Sequence, residues 1–334
     1  MMKKLLILFF VVVLLAALGV YLLTSPWFVT SVTKTIVNSR SKDWTLKEFT
    51  IGKIQVNPRP TLNLSDIEFV AEYVDPFNAQ KKQWHGRIRA LSLSALTPAF
   101  AAEQKIPFII SEISLQSQDL QLRGVSFEGL ATLSNKQWNL MNGNLKVNSL
   151  ETKDILFKDI QAVISGNANK LTVDPWQAQG MGGVLKGQLT ASDHDYTMKA
   201  NIFGAQLNEI PGVDGLGEVR GQIDGSFAMS GTFEDMQTIE GDFNALKGAE
   251  IPAAFLEMVL PYIPRSAQRK ILEDLIANKD NIFFDYATIQ LKTLQAESLT
   301  SVIKLSSQKL NLNMEITIDL NVEGGLSALG SYLP

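Results

Sequence analysis

Apolar and polar residues alternate one by one along most of the chain, and the longest such run is Leu310–Glu323 (LNLNMEITIDLNVE). Leu310, Leu312, Met314, Ile316, Ile318, Leu320 and Val322 fall on one side of it. Asn311, Asn313, Glu315, Thr317, Asp319, Asn321 and Glu323 fall on the other. Successive side chains of a strand point to opposite faces, so the run predicts a strand with one apolar and one polar face. Shorter runs repeat the pattern at Ile113 and Leu115, Leu145 and Val147, Ile160 to Ile164, Met198 to Ile202, and Val219 to Met229. Turn formers stand between them: Asn142-Gly143, Gly166-Asn167, Asp193-His194-Asp195 and Gly212 to Gly217. The spacing predicts about 14–16 strands of ordinary length. No helical segment separates most of them, so the simplest topology is an antiparallel meander. A β/α enzyme fold needs a helix after nearly every strand, and that pattern is absent.

Helix is sparse. Pro98–Lys105 fits a short helical turn. The region of about 252–279 fits a helical insertion, broken by Pro261 and Pro264. Its second half carries Ile271, Leu272, Leu275 and Ile276 as one apolar stripe. Such a helix packs on the sheet or plugs one end of it. The alternative is a lid or a membrane-surface helix.

Leu5–Leu23 breaks the alternation with 19 uncharged residues (LLILFFVVVLLAALGVYLL). As a helix this run spans roughly 28 Å, close to the hydrocarbon thickness of a bilayer. It outlasts the apolar core of a cleaved signal, so residues 1–23 are expected to be a retained anchor with a short cytoplasmic tail. Trp27 and Phe28 suit the interface. Lys3 and Lys4 favour an inside N-terminus, whereas Lys34, Arg40 and Lys42 crowd the other end. The balance expects residues 24–334 outside the cytoplasm.

Charge and chemistry then narrow the function. Beyond Lys3 and Lys4 the chain has 28 basic against 34 acidic residues, so a basic footprint for nucleic acid is missing. The absence of cysteine excludes disulfides, thiolate metal sites and cysteine nucleophiles. His194 lies between Asp193 and Asp195 where a hairpin turn is expected, which suits a turn better than a metal site. His85, in KKQWHGR, has no recognisable catalytic partner nearby. Gly180-Met181-Gly182-Gly183 resembles a phosphate loop only superficially, because Lys186 precedes Gly187 and a strand follows. The expectation is a non-enzyme with no metal and no cofactor.

Three segments carry a resemblance. Trp44–Phe69 (WTLKEFTIGKIQVNPRPTLNLSDIEF) follows the anchor as strand, proline-containing turn and strand. Trp138–Gly187 ends a strand in paired glycines. Val219–Gly248 is punctuated by Gly221, Gly231, Gly241 and Gly248. These segments, with Asn281–Leu320, resemble the AsmA-like family, which is related to TamB and the bridge-like chorein-type lipid transfer proteins. The resemblance implies an inner-membrane anchor and a periplasmic domain built as an elongated, curved antiparallel sheet with an apolar groove. It further implies phospholipid binding or conduction in support of outer-membrane homeostasis, with no catalytic residue.

On this reading the groove includes Leu310, Leu312, Met314, Ile316, Ile318, Leu320 and Val322. Physically, each CH₂ leaving a bilayer loses about 0.8 kcal/mol of favourable burial, which an apolar sheet face offsets. The same face suits an ordinary covered core equally well. About 15 strands stack to roughly 70 Å, so the expectation is a protein partner, an oligomer or a soluble carrier, or action only at the inner-membrane surface. The alternative is a non-catalytic structural or assembly factor for outer-membrane or secreted proteins.

Overall fold

The computed structural model of the chain describes Asn38 and residues 44–57, 61–74, 81–94, 103–134, 137–153, 155–167, 169–210, 219–232, 236–245, 247–263, 265–278, 281–295 and 298–321. The expected anchor, Leu5–Leu23, lies outside them. No helix among the described residues is long and apolar enough to cross a membrane. The described residues are mainly β, with 17 strands that pair antiparallel. The described residues fall into two compact units, residues up to 153 with 158–168, and residues 155–157 with 169–321.

The first unit holds β1 (Trp44–Asn57), β2 (Thr61–Val74), β3 (Lys81–Ser94), β4 (Glu103–Gln116), β5 (Leu120–Ser134), β6 (Gln137–Thr152) and most of β7 (Leu156–Asn167). β1 to β6 pair in sequence order. The expected helical turn at Pro98–Lys105 is corrected from Glu103 onward. There Gln104, Lys105 and Ile106 pair with Leu133, Thr132 and Ala131, so cross-strand pairing overrides local preference.

The second unit holds β8 (Lys170–Gly180), β9 (Gly183–Ser192), β10 (Asp195–Gln206), β11 (Arg220–Thr232), β12 (Met236–Ala245), β13 (Ala249–Ile251), β14 (Ile282–Phe284), β15 (Tyr286–Gln295), β16 (Ser298–Ser307) and β17 (Leu312–Asn321). β8 to β12 pair in order, and β15 then pairs with β12, followed by β16 and β17. β13 and β14 pair with each other and form a neck. From that neck emerge helices α1 (Ala253–Val259) and α2 (Ala267–Ala277), joined through a 3-10 turn at Leu260–Tyr262. Ser266 caps α2, accepting the Arg269 N–H at 3.2 Å, as a helix N-terminus requires.

β1, β2, β3 and β4 each join two half-strands that are out of phase. In β2, Leu62 and Leu64 are buried, then Ile67, Ala71 and Tyr73, so two residues rather than one separate Leu64 from Ile67. The same doubling separates Ile88 from Leu91 in β3 and Ile110 from Ile113 in β4. These positions lie level, because Leu64 pairs with Leu91 and Leu91 with Ile110, while Ile67 pairs with Ile88 and Ile88 with Ile113. β1 matches them, with Ile54 opposite Leu64 and Ile51 opposite Ile67. The result is a crease running across four strands.

Asp66 and Glu112 take left-handed backbone angles in the crease, at φ 54° and 53°. Arg89 donates two hydrogen bonds to the Glu112 carboxylate, at 2.6 and 2.7 Å. A β-branched residue tolerates that backbone poorly. Glu112→Val is therefore expected to cost about 1–2 kcal/mol, read as a lower denaturant midpoint with unchanged slope. Glu112→Gly, which keeps the backbone angle, is expected to cost less.

Asn142-Gly143 is a second correction. The pair lies inside β6 rather than between strands. Leu130 pairs with Met141 and Glu128 with Asn144, so Asn142 (φ 48°) and Gly143 together face one residue of β5. Residues that tolerate left-handed angles mark bulges as well as turns.

Candidate functional site

Among the described residues the chemistry-bearing side chains singled out in the sequence do not converge. Among the described residues no cluster of His, Asp and Glu could hold a metal ion. His194 lies with Asp193 in the turn between β9 and β10, where Ser192 Oγ accepts the N–H of Asp195 at 3.0 Å. His85 is exposed on β3, between Val70 and Gln116. Met181 and Gly182, at φ 53° and 68°, form the two-residue turn between β8 and β9, so these glycines bend the chain rather than hold phosphate.

Along β17, Leu312, Met314, Ile316 and Ile318 are buried, and Asn313, Glu315, Thr317 and Asp319 are exposed. On the polar face Lys304 lies 3.3 Å from Glu315, and Thr300 donates to Asp319 at 2.7 Å. The apolar face is covered. Its four buried residues share a cluster with Leu256, Ile263, Leu272 and Ile276 of the helical insertion. Leu310 is corrected from strand to turn. Gln308–Asn311 reverses the chain with Asn311 at φ 48°, and Leu310 packs against the edge of the same cluster. Leu320 continues the pairing, opposite Leu299. Its side chain and Val322 lie outside what the structure describes.

The first unit has a second apolar face, and its side chains are buried as well, Ile67, Leu91 and Ile110 among them. Pairing sets Ile54, Leu64, Leu91, Ile110, Phe127 and Leu145 side by side on six successive strands. Across the crease a second row sets Ile51, Ile67, Ile88, Ile113 and Val125 on five. Phe108 and Phe127 pack as a tilted ring pair with centroids 5.2 Å apart. Five strand spacings make the longer row about 24 Å. No charged side chain is buried anywhere among the described residues. Within this unit the described residues other than helical Asn38 and the connections at 117–119 and 153 form strands.

The opposite face is charged. Partial burial by itself would raise the Glu72 carboxyl, but Lys47 and Lys81, at 3.5 and 3.4 Å, together hold it below the usual carboxylate range. Arg87 lies 3.6 Å from Glu68. These exposed pairs keep this face in water more than they stabilise it. Two apolar side chains break the pattern there, Ile109 and Met141, each about half exposed.

Comparison with models of known protein families, with curated proteins and with solved structures found no match.

Proposed function

We propose that this chain is a non-enzymatic, membrane-anchored envelope protein of AsmA-like type that binds phospholipid acyl chains on the apolar face of its first unit. One observation carries the reading, namely the uncharged rows that cross up to six strands at right angles to them. An ordinary core needs an apolar face. A lipid path additionally needs that face to continue from strand to strand without a charge, because an acyl chain lying across it must meet apolar groups throughout. The sequence of Leu5–Leu23 supports placing this face beside a bilayer.

The test is photo-cross-linking in cells. A photo-reactive residue at Leu64 or Leu91 is expected to capture lipid, and one at Asn63 or Ser92, on the opposite face, is not. Capture at neither face would overturn the reading. Exposed Ile109 and Met141 favour a second reading, docking of another protein on the outer face. That reading gives protein cross-links at those two positions.

Attachment is tested separately. Leu14→Arg puts a charge in the middle of the apolar run, at about 2.5–3.5 kcal/mol on insertion scales. The variant is expected to leave the membrane fraction. Retention through an alkaline wash would mean that Leu5–Leu23 is not the sole anchor.

A further inference from the structure

The helical insertion stands apart in how it is attached. Its polar contacts are internal. Arg269 Nε donates to Glu273 at 2.8 Å, its guanidinium also donates to the Ile263 carbonyl at 2.7 Å, and Ser266 caps α2. Among the described residues no hydrogen bond or ion pair joins Pro252–Asn278 to β15, β16 or β17. Among the described residues its contact with β17 is apolar, through Leu256, Ile263, Leu272 and Ile276, while β13 at its base pairs with β11. Apolar contact is non-directional, so it can be exchanged for another apolar partner of similar area.

The connection to the sheet is narrow. The insertion leaves and re-enters through three-residue strands, Ala249–Ile251 and Ile282–Phe284. Gly248, at φ 89°, stands directly before the first, and a Cβ there would collide with the Phe283 ring. A second observation concerns the covered face. Ser307, paired with Leu312 and 1% exposed, has a hydroxyl with no hydrogen-bond partner. Ser307 shares its face with Leu312, so a buried hydroxyl without a partner lies at one end of that face.

From these observations we infer that Pro252–Asn278 is a hinged cover. It pivots on the β13–β14 neck and lifts from β17 to exchange its own apolar side chains for a lipid acyl chain. The inference rests on the lipid-binding reading and adds to it a gate in the second unit. Leu312, Met314, Ile316 and Ile318 are then a lipid contact only when the cover is raised.

The chain has no cysteine, so single thiols report opening directly. Ile316→Cys lies beneath the cover. Ile202→Cys is a comparator, because its cluster contains no residue of the insertion. Under native conditions a small maleimide is expected to label Ile316→Cys at least about tenfold faster than Ile202→Cys, because local opening requires less free energy than unfolding the unit. Leu272→Ala, which weakens the cover, is expected to speed labelling at Ile316→Cys without changing Ile202→Cys. Met314→Cys serves as a second reporter should Ile316→Cys fold poorly. Equal rates at the two positions, or equal acceleration of both by Leu272→Ala, would overturn the cover.

The ligand is tested with vesicles of phosphatidylethanolamine and phosphatidylglycerol carrying a photo-reactive acyl chain. Cross-linking to the 312–318 segment is expected to rise in full-length Leu272→Ala. Cross-linking confined to the first unit would leave the lipid-binding reading standing and overturn the gate. Selective labelling with no lipid cross-link anywhere in the chain would overturn the lipid-binding reading, and with it the acyl-chain role of the cover.

Discussion

Ile316→Asp is expected to unfold the second unit at temperatures where the unaltered chain is intact. Ile316 is 1% exposed, in the middle of β17, among side chains that offer a carboxylate nothing to bond. Its neighbours in the cluster are Leu, Ile, Met, Ala and Phe, and no buried lysine or arginine stands among the described residues to pair with it. A carboxyl group there must either stay charged and unpaired or take up a proton, and both oppose folding. The loss is expected to be on the order of 3 kcal/mol or more. Glu315→Ala, one residue away on the exposed face, should fall within about half a kcal/mol of the unaltered chain, because it removes only an exposed pair with Lys304. Thermal melting of the two variants checks the contrast. Similar melting temperatures would mean that the β17 face is not packed as described.

The second large effect is expected at Gly187. This residue of β9 lies opposite Ala200 of β10 and Trp176 of β8. A Cβ at Gly187 would fall on the Lys199 carbonyl oxygen and 2.8 Å from the Trp176 ring. A side-chain collision can be relieved by a rotamer change, but a collision with a paired backbone carbonyl requires the strands to separate. Gly187→Val is accordingly expected to cost about 3 kcal/mol, at the upper end of overpacking effects. Trp176→Ala should rescue little of that loss, because the carbonyl remains. Denaturation of the two single variants and the double variant measures this directly, and near-complete rescue would assign the constraint to the indole instead.

The sequence expresses some of this architecture openly and hides the rest for identifiable reasons. β17 is legible because its phase never slips, so Leu312 to Ile318 alternate without a fault. The helical insertion is legible from its two prolines and the Ile271–Ile276 stripe. The long strands are not, because a period of two read along β2 ends at Leu64 and restarts one residue late at Ile67. Asn142-Gly143 imitates a turn for the same reason, since the backbone angle that closes a hairpin also builds a bulge. The face of the first unit is invisible along the chain. Its rows join Leu64 to Leu91 and Leu91 to Ile110, neighbours only once the register is known. Whether β17 is covered was equally unreadable, because core strands and groove strands share the same alternation.

The crease also governs how these strands can change length. β1, β2, β3 and β4 each carry one residue more at this level than a regular strand, and because all four do, their mutual register stays even. β5 does not, and β4 bulges against it between Ile110 and Ile113. Deleting Asp66 alone would leave β1 and β3 each one residue longer than β2, and both would have to bulge as β4 does now. Deleting the corresponding residue from all four strands would leave no mismatch among them and would remove the bulge at β5. Insertions and deletions here are thus coupled over a stretch of about sixty residues, from Gly52 to Glu112. A change that is harmful in any one strand becomes neutral only when its neighbours share it.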